Sequence, residues 1–328
     1  MSNGKYFVGL DVGGTTMKAA VVSDSGQPKP SVVLPTEAAK GQEHGLSQMC
    51  KAIQQATQAA GLTMADISGI GVATPGTMDI AAGIILDPPN LKPWKNVPVK
   101  QHIQNYFQIP TAFQNDANAA AFGEFWVGAG KGTKSLVMFT LGTGVGGGII
   151  VNGRVVEGEH SHGGEIGHMK IEMSNPRQCG CGRYGCLEAY ASATAVVKRA
   201  QELLATKIKG PSLLREILQN SKEELPARAV FEAAEKGDEY AKEVIDRTAF
   251  YLAVGTTNIM HTINPDMIVF GGGMTAAGTS FLQQIRNYVN QLAFPVPAER
   301  TRVVYASLGS DAGFIGAAGC AKQLVLDQ

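Results

Sequence analysis

Apolar positions along this chain fall into two ribbons of one design. Tyr6, Phe7, Val8, Leu10 and Val12 lead into Gly13-Gly14, and Met17 to Val22 lead out, so residues 6 to 22 read as strand, turn, strand before Asp24-Ser25-Gly26 turns the chain again. The stretch from Ser135 through Gly142-Thr143-Gly144 to Val151, closed by Asn152-Gly153, repeats that plan. Gly13 aligns with Gly142 and Val22 with Val151, both 129 residues apart (142 minus 13, 151 minus 22), so one ungapped register relates the copies. Such a repeat predicts a duplicated α/β fold, each copy opening on a ribbon and continuing through helix and strand units, with the pair facing each other across a cleft.

The pattern between and after the ribbons fits that plan. The region around Ser47 and Ile53 to Ala60 read as helix, residues 67–73 as a buried strand, and residues 111–114 as a short strand before an alanine-rich helix. Further on, 194–204, 229–237 and 239–259 carry helical spacing, and 266–270 reads as a strand running into Gly271-Gly272-Gly273. A helix over 279–292, a strand over 302–306 and a closing helix from Asp311 follow. Pro35 to Gln42 and Gly210 to Leu225 are weakly patterned and read as loops. The expected division is a small N-terminal α/β domain, 1–120, to which the helix at about 311–328 returns, and a large domain, 121–310.

Composition narrows the function. The chain has 328 residues, 44% hydrophobic and only 17% charged, with 40 glycines, which describes a compact, turn-rich enzyme and leaves length for two cores. Twenty-eight basic residues balance 28 acidic ones, so no net field favours nucleic acid or an anionic membrane. No charged leader precedes an apolar stretch at the start, and no apolar run reaches membrane-spanning length, so a cytoplasmic protein is expected.

The glycine turns depart from the common phosphate-binding patterns. Gly142-Thr143-Gly144-Val145-Gly146-Gly147 satisfies G-x-G-x-x-G, but a second strand follows where a dinucleotide fold needs a helix. Gly128 to Ser135 resembles a P-loop only superficially, since it precedes its strand. What remains is a pair of hairpin turns whose amides and hydroxyls suit nucleotide phosphates, with the Gly271 to Gly273 triplet as a flat surface for a base. Asp11, at the end of the first strand, stands where a carboxylate can hold magnesium directly or through water. Taken singly, such turns are ordinary tight turns; the duplication is what favours a shared role.

The cysteines are concentrated. Of five, Cys50 and Cys320 stand alone in apolar helical surroundings and read as core residues, while Cys179, Cys181 and Cys186 follow Cys-x-Cys-x4-Cys spacing just after His168. Three thiols and an imidazole suit a closed Cys3His zinc site; a disulfide or free thiols are the alternatives, and a chain this long with so few cysteines does not look like a disulfide scaffold. Glu165 and Glu188 bracket the loop, and rigidly held carboxylates accept hydrogen bonds from polyols at little ordering cost, which reads as a sugar site. Asn115-Asp116, before the alanine-rich helix, is either a helix cap or a reactive carboxylate, or both.

Together these segments resemble one family. Asp11-Val12-Gly13-Gly14-Thr15-Thr16, Asn115-Asp116 with Asn118 and Gly123-Glu124, Leu141 to Gly148, Glu165-Ile166-Gly167-His168, the cysteine block through Glu188, and Phe270 to Gly273 are similar to the ROK family (repressor, open reading frame, kinase), most closely to its bacterial glucokinases. The resemblance implies an actin-like ATPase fold of two ribonuclease H-like domains, with sugar and ATP in the interdomain cleft. It implies Asp116 as catalytic base, with Gly76, Asn90, Asn115, Asp116, Glu165, His168 and Glu188 at the sugar. Asp11, Gly13, Gly14, Thr15, Thr16, Lys18, Gly142, Thr143, Gly144, Gly272 and Gly273 would take Mg2+ and ATP, and His168, Cys179, Cys181 and Cys186 a structural Zn2+ in the loop 168–186. His160, His162 and His261 receive no role. The expected activity is transfer of phosphate from ATP to the 6-hydroxyl of glucose, by a homodimer. Kinases for N-acetylmannosamine, N-acetylglucosamine, fructose or allose, and a sugar-sensing regulator, share much of the pattern. Barely five residues precede the first strand, which leaves no room there for the helix-turn-helix of the family's repressors.

Overall fold

The computed structural model describes residues 5–206, 212–220 and 225–327. Its strands are β1 (Tyr6–Val12), β2 (Thr16–Ser23), β3 (Val32–Pro35), β4 (Ile67–Thr74), β5 (Met78–Asp79), β6 (Ile84–Ile85), β7 (Thr111–Asn115), β8 (Leu136–Leu141), β9 (Val145–Val151), β10 (Arg154–Val155), β11 (Met267–Gly271) and β12 (Arg302–Tyr305). Its α-helices are α1 (Gln42–Ala59), α2 (Val99–Phe107), α3 (Asp116–Trp126), α4 (Glu188–Ala191), α5 (Ala193–Thr206), α6 (Leu213–Asn220), α7 (Ala227–Glu235), α8 (Glu239–Ile263), α9 (Gly278–Leu292), α10 (Pro295–Arg300) and α11 (Ala312–Leu326).

Two five-stranded sheets share one order. The first runs β3-β2-β1-β4-β7 and the second β10-β9-β8-β11-β12, so the ribbon takes the same place in each. In the first sheet β1 pairs antiparallel with β2 and parallel with β4, and β4 pairs parallel with β7. Contacts group the chain into two units: 1–136 with 148–164 and 307–328, and 137–147 with 165–306.

In the first unit α1 buries Leu46, Met49, Cys50, Ile53 and Ala56, a helical stripe that packs into the same core as Val8, Leu10 and Val72. Helix α11 lies on the other side of the strands, against β1, β4 and α3. That approach needs glycine: Gly9 and Gly71 are register partners, and a Cβ on either would sit 1.8 Å from a carbonyl oxygen of α11, at Phe314 and Ala317 respectively. In the second unit Phe139 of β8 packs on Phe270 of β11, ring centroids 5.3 Å apart, and α7, α8 and α9 pack on one another.

One expected loop is partly helix. Residues 213–220 form α6, while 210–211 and 221–224 lie outside the described residues. Asp238 supplies the reason. Its carboxylate caps α8 by accepting from the Ala241 amide at 3.0 Å, and it also accepts from Ser212 Oγ at 2.7 Å and the Leu214 amide at 3.3 Å at the start of α6. A cap delivered from two dozen residues away leaves no local signal. Helices α2 and α10 and the short strands β3, β5, β6 and β10 also formed where no element was expected. Among the described residues no helix is long and apolar enough to cross a membrane.

Candidate active site

Parallel strands direct their C-terminal ends to one edge of the first sheet, and the candidate acids stand there. Asp11 nears the end of β1, directly opposite Lys18 of β2, and Asn115 ends β7 beside Thr74 of β4. Burial pushes the Asp11 carboxyl up to about 7, the negative charge of Asp116 pushes the same way, and Lys18 opposes both. Lys18 is itself engaged, its ammonium donating to Asp311 Oδ1 at 2.5 Å. The start of α11 fits against Asp11 so closely that a Cβ on Gly313 would stand 2.2 Å from Asp11 Oδ2.

Asn115 is the N-cap of α3, its Oδ1 accepting from the amides of Ala117 at 2.9 Å and Asn118 at 3.3 Å. The cap reading of Asn115 is thus observed, its bonds turning Oδ1 toward the helix amides. Asp116 Oδ1 accepts from the Ala117 amide at 2.8 Å, which pins the carboxylate at the helix N-terminus, where the backbone dipole favours negative charge. Behind them the buried Gln114 accepts from the Asn115 amide and from Asn118 Nδ2, and donates to Glu157 Oε1 at 2.8 Å. Neither Gln114 nor Glu157 was singled out from the sequence, since a lone amide and a lone acid carry no motif.

The first glycine turn is closed by the Gly13 amide donating to Thr16 O at 2.8 Å and by Thr36 Oγ1 donating to Gly13 O at 2.7 Å. Gly14, Thr15 and Thr16 are exposed. A Cβ on Gly14 would lie 2.9 Å from the Asn90 carbonyl oxygen, and one on Gly76, at φ 94°, would lie 2.8 Å from Pro88 Cα. Gly76 and Asn90 thus belong to one cluster with the first turn. Thr36 was missed because it sits in a stretch read as loop.

In the second unit Val145, first residue of β9, is the meeting point. Its amide donates to Glu188 Oε2 at 3.0 Å, and a Cβ on Gly167 would stand 1.8 Å from its carbonyl oxygen, so the Glu165 to His168 segment presses on the second glycine turn. The turn is braced by the Ala193 amide donating to Gly142 O at 2.9 Å and Thr194 Oγ1 donating to Thr143 O at 2.8 Å. A Cβ on Gly144 would come within 2.4 Å of Glu188 Oε2. The exposed Gly272 and Gly273 follow β11, and Gly272 abuts Leu141 at the end of β8.

His168, Cys179, Cys181 and Cys186 converge, one ligand atom from each lying within 4.8 Å of the others. His168 Nδ1 is 3.8 Å from Cys179 Sγ, and Cys181 Sγ is 3.8 Å from Cys186 Sγ. A tetrahedron with metal–sulfur bonds of 2.3 Å has edges of about 3.8 Å, so the donor set fits a zinc ion, while the thiol separation is well beyond a disulfide bond. The Lys170 ammonium donates to Cys186 Sγ at 2.9 Å. Cys179 Sγ donates to Glu188 Oε1 at 3.2 Å, and burial pushes the Cys179 thiol up. The other imidazole nitrogen, His168 Nε2, faces the exposed Glu165, 3.9 Å from its Oε2. One ring nitrogen thus faces the thiol cluster and the other the side of Glu165.

Two antiparallel ribbons, each extended by parallel strands and helices in one order, make this a protein of the actin-like ATPase fold. The ROK family model matches residues 7–324, and the chain belongs to that family. It is 36% identical to the glucokinase of Halalkalibacterium halodurans over 97% of this chain and 96% of that protein. Among solved structures it resembles the ROK hexokinase of Thermus thermophilus, with a TM-score of 0.84 and 30% identity over 98% of this chain and all of that one. It also resembles a ROK family glucokinase from Streptomyces griseus, solved in complex with glucose and AMPPNP, with a TM-score of 0.77 and 30% identity over 97% of this chain and 99% of that one.

Proposed function

We propose that this chain transfers the terminal phosphate of ATP to the 6-hydroxyl of a hexose, glucose first, with N-acetylmannosamine, fructose and allose as the alternatives. The observation that carries the reading is Asp116, a half-buried carboxylate held at the N-terminus of α3 beside the capping Asn115. Transfer to an alcohol needs a carboxylate to accept the hydroxyl proton, and most of the remaining acceleration comes from positioning and charge stabilisation. Asp116 takes that proton, and Asn115 orients the sugar through Nδ2.

Gly76 and Asn90 in the first unit, and Glu165, His168 and Glu188 in the second, are the further sugar-binding residues. Gly13 to Thr16 with Lys18, and Gly142 to Gly144 with Gly272 and Gly273, bind the nucleotide through backbone amides and hydroxyls. Asp11 would hold Mg2+: its carboxyl, raised to about 7, lacks a full cationic counterpart, which a divalent ion supplies together with charge neutralisation at the phosphates. His168, Cys179, Cys181 and Cys186 would hold zinc, which fixes the loop 168–186 without taking part in the chemistry. Deprotonation of Cys179 on metal binding would end its bond to Glu188 Oε1 and free that oxygen for a sugar hydroxyl. The proposed organisation remains a small domain, 1–120 with the closing helix, and a large domain, 121–310, in a cytoplasmic homodimer.

A coupled ADP-release assay over glucose, N-acetylmannosamine, N-acetylglucosamine, fructose and allose tests this. Glucose is expected to give the highest kcat/KM. Asp116→Asn is expected to abolish turnover while glucose affinity stays within about tenfold, roughly 1.4 kcal/mol. Undiminished turnover in that variant would remove Asp116 as the base, and silence of the wild type toward all five sugars would favour the sugar-sensing regulator.

A further inference from the structure

We propose that a pocket walled by Arg177, Arg199 and Arg247, on the helical face of the second unit, binds a small phosphate-bearing anion. The pocket, of about 300 Å3, is lined from α5 by Arg199, Glu202, Leu203 and Thr206, from α8 by Glu243, Val244, Arg247 and Tyr251, and by Arg177 from the segment before the cysteines. That volume is at the small end of the range for ligand sites and has room for a phosphate ester.

Three guanidinium groups, Arg177, Arg199 and Arg247, line the pocket against two carboxylates, Glu202 and Glu243. Arg177 holds Glu202 in a two-pronged pair, Nη1 to Oε1 at 2.9 Å and Nη2 to Oε2 at 2.5 Å, so that carboxylate is spoken for. Arg199 is only 8% exposed, and among the described residues no carboxylate pairs with it. Its Nη2 donates to Thr248 Oγ1, whose own hydroxyl donates onward to Val244 O, and its guanidinium stands 5.6 Å from the Tyr251 ring centroid. Its Nε, fully buried, has no partner. An arginine that only cemented α5 to α8 would have its donors satisfied, because a buried unpaired donor is costly and a buried unpaired charge more so. Burial holds this guanidinium down at about 10, and the neighbouring Arg177 and Arg247 push the same way against Tyr251 and Glu202. Arg247 is exposed at the rim, over the Phe250 ring, where it can close on an entering anion. A guanidinium fork matches a tetrahedral oxyanion better than any neutral ligand.

The test is kept distinct from the proposed kinase chemistry by substituting only Arg199 and Arg247, which have no part in that chemistry. Thermal unfolding of the full chain is followed in inorganic phosphate, and in glycerol 3-phosphate, against sodium chloride of equal ionic strength. A saturable rise in Tm is expected, with the apparent Kd weakened at least about tenfold in Arg199→Met and in Arg247→Ala, a loss of about 1.4 kcal/mol. Arg247 is exposed, so Arg247→Ala keeps the fold even where Arg199→Met does not. An unchanged response in Arg247→Ala, or none in the wild type, overturns the proposal. Phosphate-soaked crystals should show the anion within hydrogen-bond distance of the Arg199 or Arg247 guanidinium, and water alone there overturns it equally. A tighter response to the ester assigns the site to phosphate monoesters, and an equal one to free phosphate.

Discussion

The two glycine ribbons are copies in backbone and opposites in chemistry. Each turn is closed by its own backbone bond, the Gly13 amide to Thr16 O in the first and the Gly142 amide to Gly144 O in the second. In the register that relates them, Asp11 corresponds to Thr140 and Gly14 to Thr143. The first ribbon carries its carboxylate in the strand, buried and raised to about 7 beside Asp116. The second has no acid at that place, and borrows Glu188 from α4, which bonds the Val145 amide and the Cys179 thiol. A duplicated ribbon thus supplies two amide-lined turns, because strand pairing fixes the backbone, while the side chains at the turns are free to diverge. One copy became acidic, and the other was tied to a thiol cluster.

The largest test of that contrast removes the tie. Cys181→Ser is expected to lose stoichiometric zinc in elemental analysis and to raise the sugar KM at least about tenfold, because metal-ligand energy is folding energy for the loop carrying Glu188. Wild-type protein purified without zinc, and unaffected by its addition, would remove the basis for this.

Asp11→Asn probes the other copy. The folded carboxyl near 7 keeps a proton that an unfolded aspartate near 3.8 has already released, so wild-type stability falls as pH rises from about 4 to about 7 and then levels. The variant lacks that loss. Its advantage in urea unfolding should grow across this window to about 2–4 kcal/mol and stay constant above it, while phosphoryl transfer drops. A difference that does not vary with pH would show that Asp11 is ionised throughout. Thr140→Val, at the corresponding place, should leave the pH profile unchanged.

The smallest effects lie within the second turn. Gly144→Ala places a methyl against Glu188 Oε2 and should cost about 1 kcal/mol by loosening its bond to the Val145 amide. Gly142→Ala meets nothing within 4 Å and should stay within about 0.5 kcal/mol. Equal Tm values for the two would mean that Glu188 moves aside freely.

Much of this was legible before any coordinates. The ribbons, the buried strand at 67–74, the long helix at 239–263 and the closing helix carry strong local periodicity, and their bounds agree with expectation to within a few residues. Cys179, Cys181, Cys186 and His168 were legible because ligand types clustered in sequence also cluster in space, and the structure brings their donor atoms together. Residues acting across long separations were not. Asp311, which engages Lys18 from 293 positions away, Glu157 on Gln114, and Asp238 at the start of α6 each look like ordinary surface acids until the fold closes. The buried Glu124 is another: its carboxylate gathers the amides of Ala129, Ser307 and Leu308, a role its place in a motif does not state.

The sequence by itself determined the duplicated architecture and the inventory of reactive groups, because periodicity and spacing are local properties, and its ordered motifs carried the family resemblance. Only the tertiary structure decided how those groups are charged and aimed. Burial and the neighbouring Asp116 raise Asp11, the cap turns Asn115 Oδ1 inward, and Val145 draws Glu188 onto the second turn. A carboxylate's proton affinity and direction depend on what folding packs beside it, and those neighbours come from remote parts of the chain.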